Sequence, residues 1–271
     1  MSEMDQAVFN DEMVSKNACL LIVGMHRSGG SLLAGCLHHL GVNFGHNLLA
    51  GKDSSGGDAF ENQDIVLAHE ILFRDLGGRW DMVGSLPEGW AESEAAEQAR
   101  QKITQIIEKQ FLDQGLWAIK DPRLCRVMPL WSEVLARQGI RPLFIHMIRH
   151  PHEVASSLKE HHATGLSKGH LLWLVHNRDA LKASHGHPHT FLTYDQLVAD
   201  PVSSMLRISS ALNIDLPGDP LQYSRTITDF AQPDLKHHHT NNRSTSFTNH
   251  TFTQYAWICL LYTSDASDDL L

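Results

Sequence analysis

Apolar residues along the chain follow two patterns. Short continuous runs, the mark of strands buried on both faces, occur at 18–24, 116–119 and 143–148, with a last short one at 190–193. Between them the apolar spacing lengthens to that of a helix. Leu32, Leu33, Cys36, Leu37 and Leu40 form one such stripe. Ile65, Val66, His69, Leu72, Phe73 and Leu76 form a second over 62–76, and Ala96, Ala99, Ile103, Ile106 and Ile107 a third over 92–112. Further helices are expected over 127–137, 151–160, 166–183 and 201–212, two of them opening on Pro151 and Pro201, where a helix loses no amide bond. Strands alternating with helices predict βαβ units and right-handed crossovers. The expected fold is therefore α/β, a P-loop-type three-layer arrangement around a mostly parallel central sheet.

The polar stretches divide the chain. Residues 1–17 read as a flexible lead-in, 18–235 as one domain and 236–271 as a disordered tail. The segment 51–58 (GKDSSGGD) is a flexible loop by composition. With 42% hydrophobic and 20% charged residues in 271, the chain has enough apolar material for a substantial core. Its formal charge of −9 gives no general attraction to nucleic acid or to anionic lipid, so neither is an expected partner and any polyanion needs a local site. The four cysteines, Cys19, Cys36, Cys125 and Cys259, form no CxxC pair, which fits a reducing compartment. No apolar run approaches the roughly 20 residues of a membrane span, and the acidic N-terminus has no signal pattern, so a cytoplasmic location is expected. The triplet His237, His238 and His239 has no Cys or carboxylate at ligand spacing beside it and reads as solvated, so no metal site is expected.

Ligands of open parallel sheets sit beyond the carboxyl ends of the strands. Three clusters fall there. The first, Gly24-Met-His-Arg-Ser-Gly-Gly-Ser31, nearly matches the Walker pattern GxxxxGK[ST], with Gly30 where the lysine should stand and Arg27 as the cation inside the loop. Such a turn before a helix aims backbone N–H groups at one anion, and the missing lysine suits an anion other than a triphosphate. The second cluster pairs Arg149, at a strand end, with Ser157, eight residues on, as an anion clamp. The third is Lys120-Asp-Pro-Arg123. Each cluster taken alone is also compatible with a plain glycine turn, a surface serine or a solvated charged turn.

Taken in order, the three clusters resemble the PAPS-dependent sulfotransferases (PAPS, 3′-phosphoadenosine 5′-phosphosulfate), specifically the bacterial group similar to tyrosylprotein sulfotransferases. The resemblance covers about residues 19–240. It includes the 5′-phosphosulfate loop His26–Leu33, the 3′-phosphate motif from Arg149 to Ser157, Lys120-Asp-Pro122, and Tyr194-Asp-Gln-Leu197-Val-Ala-Asp200-Pro201. Phe60-Glu61-Asn62 and Leu235-Lys-His-His238 are similar as well. The resemblance implies transfer of a sulfuryl group from PAPS, as co-substrate and without a metal, to an acceptor hydroxyl on a saccharide, peptide or small molecule. It implies donor binding by His26, Arg27, Ser28, Gly29, Gly30, Ser31, Leu32, Arg149 and Ser157. Arg27 and Lys120 then act on the transferred group and Glu61 as general base, with His46 and Asp58 as alternative bases. The family has Thr where this chain has Gly30. A nucleotide kinase and a non-catalytic nucleotide-binding relative are the alternatives. The segment from Cys259 to Ala266 resembles the translation of a transposon-end sequencing adapter, which marks the tail as partly artefactual.

Overall fold

The computed structural model describes residues 18–50, 58–112 and 115–231. The lead-in, the residues of the 51–58 loop up to 57, the histidine triplet, the 235–238 motif and the adapter-like tail lie outside the described residues. Strand β1 (Ala18–Val23) leads through the glycine loop into α1 (Gly30–His39), followed by the pair β2 (Leu48–Ala50) and β3 (Asp58–Asn62), then α2 (Gln63–Asp75), a 3-10 turn at Trp90–Glu92 and α3 (Glu94–Gln110). After these come β4 (Trp117–Lys120), α4 (Leu124–Arg137), β5 (Arg141–Ile148), α5 (Pro151–His162) and α6 (Leu166–Ser184). The described chain ends with β6 (His189–Thr193), α7 (Tyr194–Ala199), α8 (Pro201–Leu212) and α9 (Ser224–Phe230).

Four strands form one parallel sheet in the order β4-β1-β5-β6. Every residue of β1 is buried, as its unbroken apolar run requires. Alternate residues feed opposite cores because successive side chains of a strand point to opposite faces. Ala18, Leu20 and Ile22 pack with α1, α7, α8 and α9, while Cys19, Leu21 and Val23 pack with α2, α3 and α4. A third, smaller cluster joins Met25 and Ile148 to Val154, Leu158, Leu172 and Trp173 of α5 and α6. The three-layer α/β expectation is what the chain adopts.

The strand order places a switch point beside β1, since the chain goes first to β4 on one side and then to β5 on the other. Crevices at such points take ligands. Two of the departures from the sequence reading lie next to the site. Asp58 belongs to β3, which pairs antiparallel with β2, although the stretch reads as loop. Helix α4 starts at Leu124, three residues before the expected 127, and is distorted at Val127 (φ −118°, ψ 20°) ahead of Pro129. Proline removes a helical hydrogen bond and crowds the preceding turn, which accounts for the kink.

Candidate active site

The loop after β1 is shaped by residues that lack or misplace a side chain. Gly24 takes φ 145°, and a Cβ there would sit 2.4 Å from the Met147 carbonyl of β5. Gly29, at φ 98°, precedes α1, where a Cβ would meet the Tyr194 ring at 2.5 Å and Met147 at 2.8 Å. Arg27 also occupies the left-handed region, at φ 71°. The result is a tight turn delivering the N-terminus of α1 with no side-chain cap and no acidic residue in its first turn. The first N–H groups of a helix have no intrahelical acceptor, and the helix dipole favours an anion in front of them. Ser28 is 1% exposed, and its Oγ has no hydrogen-bond partner. A buried hydroxyl left unmatched in a glycine loop fits an oxyanion in the cradle.

Cations reach this cradle from both sides. From β5, Arg149 donates from Nη1 to the Arg27 carbonyl at 3.3 Å and from Nε to Glu153 at 2.8 Å. Its guanidinium lies 4.4 Å over the Tyr194 ring, a cation–π support that the sequence reading did not assign. The Arg149 carbonyl is fixed by Trp173 Nε1 at 3.0 Å. Ser157, fully buried on α5, accepts from Arg27 Nε at 2.8 Å. The two residues of the expected 3′ clamp thus flank Arg27, with Ser157 bonded to it directly.

From the other side, Lys120 ends β4 and crosses Gly30, its Cε 3.1 Å from where a Cβ of residue 30 would be. The ammonium missing from position 30 is supplied from the adjacent strand. Its Nζ donates to Ser31 Oγ at 3.1 Å, the Ala59 carbonyl at 3.2 Å and Glu61 Oε1 at 2.5 Å. Lys120 is 7% exposed and Glu61 9%. Phe60 makes this meeting possible. It adopts φ 54°, unusual for a bulky residue, with its ring packed among His38, Phe44 and Phe230. Asn62 then caps α2, accepting from the Asp64 and Ile65 amides, while its Nδ2 donates to the His46 carbonyl and to Gln110.

A buried line of polar groups lies behind Glu61. Arg123 Nη1 is 3.8 Å from Glu61 Oε2 and 2.9 Å from Asp121 Oδ1, and its Nη2 is 2.9 Å from Glu70. Asp121 Oδ2 accepts from His69 Nδ1 at 2.7 Å, and Trp131 Nε1 donates to His69 Nε2 at 2.8 Å. Because the indole can only donate, His69 accepts at Nε2 and donates at Nδ1. Burial pushes the Asp121 carboxyl upward, but the Arg123 charge and the His69 hydrogen bond outweigh it and hold the group well below the usual carboxylate range. His69 was legible only as a member of the buried stripe of its helix, and no spacing tied it to Asp121.

Of the expected site residues, Arg27, Ser28, Gly29, Gly30, Ser31, Lys120, Glu61, Arg149 and Ser157 converge on this crevice. Leu32, in the first turn of α1, turns its side chain into the core. The His26 ring turns toward Trp80, with centroids 4.5 Å apart, so what His26 brings to the cradle is backbone. His46 is exposed; its amide donates to Gln110 and its carbonyl accepts from Asn62. The Asp58 side chain lies outside what is described. Among the described residues, no group of three or more His, Cys, Asp or Glu side chains is arranged to hold a metal ion, and no helix is long and apolar enough to cross a membrane.

Fold and crevice together define an α/β protein with a glycine loop and an uncapped helix N-terminus at the switch point of a parallel sheet. No family model and no curated protein matches the sequence. Among the solved structures similar to it are two sulfotransferases. One is the sulfotransferase domain of the Synechococcus PCC 7002 olefin synthase, with 19% identity and a TM-score of 0.49 over 92% of this chain and 94% of that one. The other is sulfotransferase STF1 from Mycobacterium tuberculosis H37Rv, with 11% identity and a TM-score of 0.47 over 92% of this chain and 79% of that one.

Proposed function

We propose that the protein is a PAPS-dependent sulfotransferase that moves a sulfuryl group to an acceptor hydroxyl. The observation that carries this reading is the convergence of three strand-end clusters on one uncapped helix N-terminus, with Lys120 replacing the helix-borne Walker lysine. The ordered motifs of the sequence supply the donor's identity. The N–H groups of α1 and the Ser28 hydroxyl hold the 5′-phosphate, and Arg149 with Ser157 holds the 3′-phosphate that distinguishes PAPS from ATP. The residues fit such a donor, because side chains at Gly24 and Gly29 would clash with the walls of the cradle.

In the reaction the acceptor oxygen bonds to sulfur as the bond from sulfur to the bridging phosphate oxygen breaks. Charge builds on the sulfuryl oxygens and on the oxygen that leaves with the nucleotide. Arg27 and Lys120 are placed to meet it, and donors aimed at developing charge lower the barrier more than they tighten ground-state binding. Glu61 takes the acceptor proton. Its contact with Lys120 holds base and cation together before substrates arrive. Lys120 then turns from Glu61 Oε1 to the bridging oxygen, while Arg123 stays beside Oε2.

A nucleotide kinase fits less well. Its magnesium needs a free carboxylate at a strand end, and the one at the end of β4, Asp121, is 1% exposed with both oxygens bonded to Arg123 and His69. Turnover with labelled PAPS and a panel of hydroxyl acceptors tests the reading. Equal affinity for ATP and for 3′-phosphoadenosine 5′-phosphate (PAP), with no sulfated product, would overturn it.

A further inference from the structure

Next to the cradle, where α5 and α6 pack against Met25, the loop joining α2 to α3 lays Trp80 against His26. Trp80 is half-buried, 4.5 Å from the His26 ring centroid and 5.4 Å from that of His162 at the end of α5. The loop is fixed rather than loose. Arg126 donates to the Met82 carbonyl at 2.6 Å and to the Gly84 carbonyl at 2.5 Å, while its Nε pairs with Asp179 at 2.8 Å. Beneath Trp80, the enclosed His26 Nε2 has no hydrogen-bond partner. Burial first, and the Arg123 charge next, hold His26 well below its ordinary range, so the ring is neutral.

The cations along this wall are already answered by carboxylates. Arg79 and Lys168 share Asp81, at 3.4 and 2.6 Å. Arg126 has Asp179, and Arg123 has Asp121 and Glu70. An acidic acceptor therefore finds no uncommitted cation among them, and a cationic one finds no uncommitted carboxylate, because Asp81, Asp179, Asp121 and Glu70 are the partners of those same cations. An uncharged hydroxyl meets neither obstacle. It also suits His26 in either tautomer, because a hydroxyl both donates and accepts.

We infer that the acceptor is an uncharged saccharide, its ring face on Trp80 and one hydroxyl on His26 Nε2. The inference rests on the sulfotransferase reading and narrows its acceptor. Trp80 turns aside from His26 to admit the sugar, exchanging a tilted imidazole contact for the C–H face of the ring. The enclosed nitrogen thereby gains the partner it lacks, and the acceptor is held beside His26, whose ring lies within the field of Arg123 and Lys120.

Saturation-transfer NMR in the presence of saturating PAP tests this, with a panel of methyl hexosides and a neutral oligosaccharide against a tyrosine peptide flanked by glutamates. At least one neutral sugar should bind. Trp80→Ala should weaken it tenfold or more with PAP affinity kept, Trp80→Phe should retain most of it, and His26→Ala should also lower it. The glutamate-flanked peptide should not bind at physiological salt. The inference is overturned if that peptide binds better than every sugar, if Trp80→Ala binds sugar like the wild type, or if PAP binds and no sugar does. Absence of PAP binding to the wild type overturns the donor reading and this inference together.

Discussion

The Lys120–Glu61 pair sets up a measurement that needs no substrate. Lys120→Met removes three hydrogen bonds from Nζ and leaves Glu61, 9% exposed, with its nearest remaining cation 3.8 Å away on Arg123. Stranding one member of a buried ion pair costs about 3–5 kcal/mol, and this variant belongs in that range. Glu61→Gln is milder, about 1–2 kcal/mol, because the amide oxygen still accepts from Lys120 and the other two acceptors remain. The double variant, with no charge left to strand, should be more stable than Lys120→Met alone by about 1–2 kcal/mol, since residues in direct contact couple by up to about 3 kcal/mol. Urea denaturation of the four proteins at pH 7 closes the cycle. If the two single costs simply add, the carboxylate and the ammonium do not depend on one another, and the coupled base and cation of the proposed mechanism fall with them.

Three further outcomes follow from the same geometry. Arg149→Ala should weaken PAP binding by about 1.5–3 kcal/mol, the range for a charge-assisted hydrogen bond, and leave the nucleotide without a 3′-phosphate unaffected; calorimetry showing the same loss for both nucleotides would refute the 3′ assignment. Glu61→Gln should lower kcat roughly 10²–10⁴-fold with PAP affinity intact, and near-full turnover would remove Glu61 as base. Burial holds His146 and His176 down to about 3, so both stay neutral in the fold while the unfolded chain takes up protons below about 6.5. Stability is then lost as pH falls from about 6.5 toward 3, by roughly 1 kcal/mol per pH unit for each ring, and a urea midpoint unchanged between pH 7 and 5 would contradict this.

Strand ends were the most legible part of this chain. The apolar runs of β1, β4 and β5 break off abruptly at Gly24, Lys120 and Arg149, and a run buried on both faces has no other way to end. Pairing across the crevice left no such trace. Nothing in spacing joins Lys120 to Glu61, 59 residues away, or Arg27 to Ser157, 130 residues away; only the tertiary packing of the elements brings them together. The β2–β3 pair escaped notice for a different reason. Leu48–Ala50 is three residues long and half-exposed, and Asp58–Asn62 has no alternation to read, because Phe60 bends the backbone at φ 54°. Tyr194 was legible as part of a motif, but its work under Arg149 and against Gly29 depends on contacts that residue spacing does not encode.

In a nucleotide kinase the loop's lysine rides on the helix it serves, one residue after the second glycine. Here the charge is on loan from a neighbouring strand, and the terms of the loan are set by register. Lys120 stands opposite Ile22 in the β1–β4 ladder. A slip of one residue would send its side chain to the other face of the sheet. The positive charge over Gly30 therefore exists only while those two strands are in step, so the cradle reports on tertiary assembly rather than on local sequence. Fraying of β4 at the sheet's edge would disarm the proposed anion site while the rest of the core still held.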